Sequence, residues 1–307
     1  MIAVTLARQL AELFFMMMLG TLLVRTRLCD AGAAKGLSVI CIYLILPCVI
    51  LEAFQIPYTD EIRDGFLLAL LAALLIHVLL FALIALLGKI FSLDRIEKAS
   101  LIYSNAGNLI IPLVTSVLGK EWVIYASAFL TVQNLFIWTH GISLISGHTK
   151  FSVRKILTNV NMLSVAAGIL IFFLKIRLPG AVTDVLDSLS STIGPLSMIM
   201  IGMILGGASW RKVFGNRRIY LICLLKMLVI PGVILLFLKY SGLAGLVPDG
   251  STILLISLFA VITPSASTVC QLAQLYDEEP AYAGAINALT TILCVLTMPV
   301  MVYLYSF

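Results

Sequence analysis

Two stretches decide how this chain folds: LIYSNAGNLIIPLVTSVLG at 101–119 and ISLFAVITPSASTVCQLAQ at 256–274. Each is apolar enough to lie in hydrocarbon, yet each is interrupted midway by polar and helix-breaking residues. In the first these are Ser104, Asn105, Gly107, Asn108 and Pro112; in the second, Thr263, Pro264, Ser265, Ser267 and Thr268. The spacing predicts that Thr263 caps a half-helix beginning with Pro264, and that Pro112 opens the second half of the other stretch. Unwound backbone at such depth survives only where it is buried in protein or lines water. Gly/Pro-interrupted spans at corresponding positions of two halves are the best sequence pointer to a transporter site.

The rest of the chain fits that reading. Of 307 residues, 61% are apolar and 11% charged, and the mean hydropathy is +1.11. Soluble domains carry about 25% charged residues, so a soluble enzyme, a nucleic-acid binder and a disordered chain are excluded. The apolar runs are continuous, unlike the alternating strands of a membrane barrel. A spanning helix needs about 20 apolar residues. Ten such stretches occur, near 4–24, 37–54, 65–90, 97–118, 121–145, 159–177, 192–209, 218–239, 251–275 and 280–306. The expected fold is an all-α polytopic membrane protein. The first stretch is too long for a signal peptide and is read as a span. The six cysteines (Cys29, Cys41, Cys48, Cys223, Cys270 and Cys294) read as small apolar residues, since no pair shows metal spacing. No metal and no cofactor is expected.

With ten spans both termini share a face. That face carries 6 Lys and Arg residues and the other 13, so the positive-inside rule places both termini outside a cytoplasmic membrane. The basic loops are read as topology signals; binding of anionic lipid by Arg211, Lys212, Arg217 and Arg218 is the lesser alternative. The connection from Gly147 to Lys155 divides the chain into two five-helix halves, 1–150 and 151–307. An odd number of spans per half forces opposite orientations, which is an inverted repeat. The interrupted spans are the fourth of each half. Pro47, Pro231 and Pro299 lack polar company and are expected to kink their helices. No HExxH, GxSxG, catalytic aspartate pair or Walker A motif is present, so neither an enzyme nor an ATP-driven pump is expected.

SNAGNLIIP at 104–112, FAVITPSAS at 259–267, LAQLYDEEPAYAGAINALTT at 272–291 and LTMP at 296–299 resemble the auxin efflux carrier family, including its bacterial permeases similar to malonate and malate carriers. The match is specific in the last third. It departs at Ile110 and Ile111, and at Ser265, Ala266 and Ser267, where many relatives carry Asn shortly after the proline. The resemblance implies a fold shared with bile-acid sodium symporters and some sodium/proton antiporters. Spans 4 and 9 would cross within a transport domain made with 3, 5, 8 and 10. Spans 1, 2, 6 and 7 would form a scaffold with a homodimer contact, and the motion would be elevator-like. Asn134 and Asn287 would neighbour the crossover, whereas Gln133, next to Asn134, would face another side.

The crossover segments contain no carboxylate and no basic side chain. They offer amides, hydroxyls and two half-helix N-termini, each carrying roughly +0.5 charge and free N–H groups. This suits an anion, most simply a carboxylate. The leading expectation is a secondary transporter of small organic anions. The alternatives are a sodium- or proton-coupled transporter of the same fold and a membrane sensor that binds without transport. The candidate substrate-binding residues are Ser104, Asn105, Gly107, Asn108, Pro112, Asn134, Thr263, Pro264, Ser265, Ser267 and Asn287. Among intramembrane ionisable residues, Glu12 is read as pairing with Arg8, Lys226 as snorkelling to the interface with drawing anions toward the inner vestibule as the alternative, and His77 and His140 as neutral buried rings with proton relay as the alternative.

Overall fold

The computed structural model describes residues 2–30, 32–55, 59–119, 122–147, 158, 160–207, 211 and 215–306. Within them every regular element is helical. The chain runs through α1 (Ile2–Arg25), α2 (Ala33–Glu52), α3 (Asp60–Phe91), α4 (Arg95–Ile102), α5 (Ala106–Val117) and α6 (Val123–Ser146). It continues through α7 (Val160–Phe173), α8 (Gly180–Ser190), α9 (Ile193–Gly207), α10 (Arg217–Tyr240), α11 (Gly250–Ile262), α12 (Ser267–Tyr276) and α13 (Pro280–Ser306). Six described helical stretches are long and apolar enough to cross a membrane, counting α8 and α9 as one. Large apolar side chains such as Phe15, Val78, Leu170, Leu236 and Leu296 stand exposed on α1, α3, α7, α10 and α13. On a chain of this composition they are the surface that meets lipid. All six cysteines are free.

Two of the expected kinks take a definite form. A π turn at Cys41–Ile45 precedes Pro47, and another at Leu225–Val229 precedes Pro231. Proline has no N–H to offer and its ring crowds the carbonyl four residues back, so the preceding turn widens. Pro299 instead lies within α13.

Small residues set the closest helix contact. Gly20 of α1 faces the Ile199 carbonyl of α9, Gly202 of α9 faces the Met17 carbonyl, and Thr21 Oγ1 donates to Gly202 O at 3.0 Å. A Cβ at Gly202 would overlap backbone, which cannot swing aside. Gly202→Val is therefore expected to lower stability by roughly 1–3 kcal/mol. Gly284→Ala is the control: its nearest neighbours, side-chain atoms of Ile201 and Leu205, lie 3.6 Å from the added carbon. Thermal unfolding in detergent compares the two; equal melting would mean that α1 and α9 are not held by this contact.

Elsewhere the second half of α2 lies against α7 and α8, beside the α1–α9 pair. α3 packs on α6, α11 touches α3, α5, α6, α10 and α13, and α12 and α13 lie against both sets, α12 on α2 and α13 on α1 and α9.

Candidate functional site

The chain leaves helical geometry at 103–105 and at 263–266, and these two gaps lie against each other. Tyr103 (φ −91°, ψ 131°) and Thr263 (φ −69°, ψ 158°) are extended. Ser104 and Ser265 pair as an antiparallel bridge. Asn105 N donates to Pro264 O at 2.8 Å, and Ala266 N donates to Tyr103 O at 3.0 Å. Two breaks thereby satisfy each other's backbone, which would otherwise be left unpaired inside the helix bundle.

Each central serine is further held by the second helix after its own break. Ser104 N donates to Gln133 Oε1 at 3.0 Å, and Gln133 Nε2 donates back to Ser104 O at 2.9 Å. Ser265 N donates to Thr290 Oγ1 at 3.2 Å, and Asn287 Nδ2 donates to Ser265 O at 2.6 Å. One amide on α6 does for the first break what an amide and a hydroxyl on α13 do for the second.

The positions of the prolines correct two expectations. Pro264 does not open a half-helix capped by Thr263: α12 starts at Ser267 with Ala266 as its N-cap residue, and Thr263 Oγ1 turns back to Ala260 O at 2.8 Å. Proline forces the residue before it out of helical geometry, so Pro264 ends α11 rather than beginning α12. Pro112 likewise lies inside α5, which starts at Ala106. The break is set by pairing of Asn105 with Pro264, not by Pro112.

Beside the paired breaks lies a cavity of about 50 Å³. That volume exceeds what a single water needs, about 10–15 Å³, and has room for several. Leu46, Val49, Ile50 and Phe54, all from α2 and its end, and Ile193 form an apolar wall. Asn105, Gln133, Asn134, Ser267, Thr268 and Gln271 form the polar one, with Ser104 beside them. The N-termini of α5 and α12 both reach this wall. Asn105 is 4% exposed; its Oδ1 accepts from Ser267 Oγ at 3.3 Å, and its Nδ2 has no partner among the described residues. Gln271 Nε2 donates to Ser197 Oγ at 2.9 Å, and its Oε1 lacks a described partner. No Asp or Glu is among the described residues of the lining.

Of the candidate residues, Ser104, Asn105, Asn134 and Ser267 line this cavity. Thr263, Pro264, Ser265 and Asn287 build the second break behind it. Gly107, Asn108 and Pro112 lie in α5, but their side chains are outside the described residues. Gln133 does not face away from Asn134's cavity: it lines it as well. The intrahelical spacing suggested otherwise, but a long amide reaches around the helix to the unpaired Ser104 backbone. Gln271 was also missed; its only signal was a polar residue one turn beyond the Ser/Thr cluster.

Lys226 corrects the reading of the site's charge. It does not snorkel. It is 1% exposed, and its ammonium donates to Ser104 Oγ at 2.8 Å, Leu101 O at 3.1 Å and Tyr103 O at 3.4 Å. The first break therefore holds a basic group, supplied by α10. The local sequence hid it because the lysine comes from a helix more than a hundred residues away. His77 Nδ1 donates to Ala73 O at 2.7 Å, and the ring packs among Phe81, Phe129 and Phe136. His140 is exposed rather than buried, with Nδ1 2.9 Å from Tyr103 OH. Neither histidine lines the cavity. The expected partner of Glu12, the Arg8 side chain, lies outside the described residues.

A second polar cluster ties the site's helices together. Asp94 and Glu97 form a capping box at the start of α4. Glu97 Oε2 accepts from Arg218 Nη2 at 2.6 Å, and Oε1 accepts from Arg218 Nε at 2.7 Å and Tyr282 OH at 3.0 Å. Arg218 also donates to the Phe91 and Ser92 carbonyls, each at 3.2 Å. One ion pair thus joins the end of α3 to α4, α10 and α13. Glu97 is fully buried while the Arg218 side chain is 42% exposed. Arg218→Gln, which strands a buried carboxylate, is expected to lower the melting temperature more than Glu97→Gln, which leaves a cation that water reaches. The reverse order in thermal unfolding would contradict the asymmetry.

A family model described as membrane transport protein matches residues 5–150 and 148–302. No curated protein matches the chain.

Proposed function

Because the chain belongs to the membrane transport protein family, and is a membrane-embedded transporter on that ground, we propose that its cargo is a small organic anion, a carboxylate, carried across the cytoplasmic membrane as a secondary transporter. The observation that carries this is Asn105: a buried amide donor with no partner among the described residues, on a cavity edged by two half-helix N-termini. Helix N-termini and N–H donors favour negative charge. The open Oε1 acceptor of Gln271 suits a hydroxyl or N–H elsewhere on the same substrate.

The proposed architecture is ten spans in two inverted five-helix repeats with crossed breaks. The matching clamps on Ser104 and Ser265 support it, since each comes from the span after its break. The motion is proposed to be elevator-like. The apolar wall would belong to a scaffold of α1, α2, α7, α8 and α9, dimerising with a second copy, and the polar wall to the moving body. The Lys35–Asp277 pair that joins α2 to the end of α12, at 2.8 Å, is exposed on both sides (44% and 73%). Such a pair is worth about 0–1 kcal/mol, so it opposes sliding little. Both termini are proposed to lie outside.

Uptake of radiolabelled dicarboxylates into proteoliposomes tests the cargo. Saturable uptake above that of protein-free vesicles is expected. Uptake no greater than in those vesicles, across mono- and dicarboxylates in either direction, would leave the sensor reading in its place.

A further inference from the structure

Lys226 is placed as a bound ion is placed. It sits in the π turn Leu225–Val229, a widened turn of the kind found often at functional sites. Its three acceptors are all oxygens: two carbonyls from the C-terminal end of α4 and the Ser104 hydroxyl. The Ser104 hydrogen is already donated to Val261 O at 3.3 Å, so Ser104 Oγ accepts from the lysine. Three oxygens within 3.4 Å match the three N–H donors of an ammonium. None is left over for a substrate, and Lys226 is not among the residues lining the cavity. No carboxylate pairs with it among the described residues; what faces it is the negative end of the α4 dipole. This geometry separates it from a lysine that draws anions in.

We propose that the Lys226 ammonium is a tethered monovalent cation, filling an oxygen-lined cation site behind the substrate cavity that would otherwise require a diffusible ion. Two consequences follow. The protein needs no sodium or potassium to hold its first break in shape. Shortening the lysine vacates a site that a small monovalent cation, such as sodium, potassium or ammonium, then occupies. The site stands on its own geometry; its effect on transport rests on the transporter reading above.

The test uses the whole chain in detergent and in proteoliposomes, with wild type, Lys226→Ala and Lys226→Ser. The serine variant adds an oxygen ligand to the vacated site and serves if the alanine variant does not fold. Melting is measured in choline chloride and, at equal ionic strength, in sodium, potassium or ammonium chloride. Wild type is expected to melt alike in all four. The variants are expected to melt several degrees lower in choline and to regain at least half of the loss, saturably, in one of the small cations. Their uptake is expected to acquire dependence on that same cation. A wild type stabilised by sodium, variants as stable as wild type in choline, or variants whose loss no cation restores would each overturn the proposal. Failure of both variants to fold even in ammonium counts as absence of rescue and overturns it too. A cation response in melting without any anion uptake would retain this site and reject the transport reading.

Discussion

Gln133→Leu is expected to lower stability more than any other single change within the cavity's polar wall, and to stop transport. The substitution keeps the volume but leaves both Ser104 N–H and Ser104 O without their partner. Each buried group so stranded costs about 1–3 kcal/mol. The loss falls on the backbone that pairs with Pro264 and Ala266, so the shape of both breaks is affected. Thermal unfolding and uptake measure the two effects. Gln133→Glu is the informative companion: a protonated carboxyl keeps one donor and one acceptor and is expected to recover part of the stability. If the leucine variant melts and transports like wild type, the Gln133 clamp does not hold the break.

Asn105→Ala is expected to act on the other side of the balance. Its Nδ2 has no partner among the described residues, so little folding energy is lost with it, apart from the bond that Ser267 Oγ makes to Oδ1. A hydrogen bond to a charged group is worth about 1.5–3 kcal/mol. Affinity for the anion is thus expected to fall about ten- to a hundredfold with melting nearly unchanged. Substrate titration by uptake or calorimetry reads the first and thermal unfolding the second. An unchanged affinity would remove the cavity from the substrate path. Comparing the two variants separates a residue that builds the site from one that uses it.

Much of this was legible in one dimension. Hydropathy is a property of runs of residues, so the helical, membrane-embedded character follows from composition and continuous apolar stretches alone. Helix breakers and polar residues at 104–112 and 263–268 marked the two interruptions, because proline and exposed amides cannot sit unassisted in an apolar helix. Ser104, Asn105 and Ser267 could be named in advance as residues near a break, whereas Asn134 came only through the family resemblance. The positions of the helix ends could not: Pro264 lies in the extended gap and Pro112 inside α5, because the breaks are fixed by hydrogen bonds to each other across about 160 residues of chain.

What tertiary structure alone decided is which distant groups answer the backbone that the breaks expose. A local pattern records that Ser104 and Ser265 lose their helical partners. It does not record that Gln133, Thr290 and Asn287 supply new ones, or that Lys226 brings its charge to the end of α4. Nor does it record that Arg218, counted along the chain as one more basic residue of a loop, closes on Glu97. Hydropathy and breakers are local and additive along the sequence, whereas the satisfaction of a buried polar group depends on what the fold carries to within about 3 Å of it.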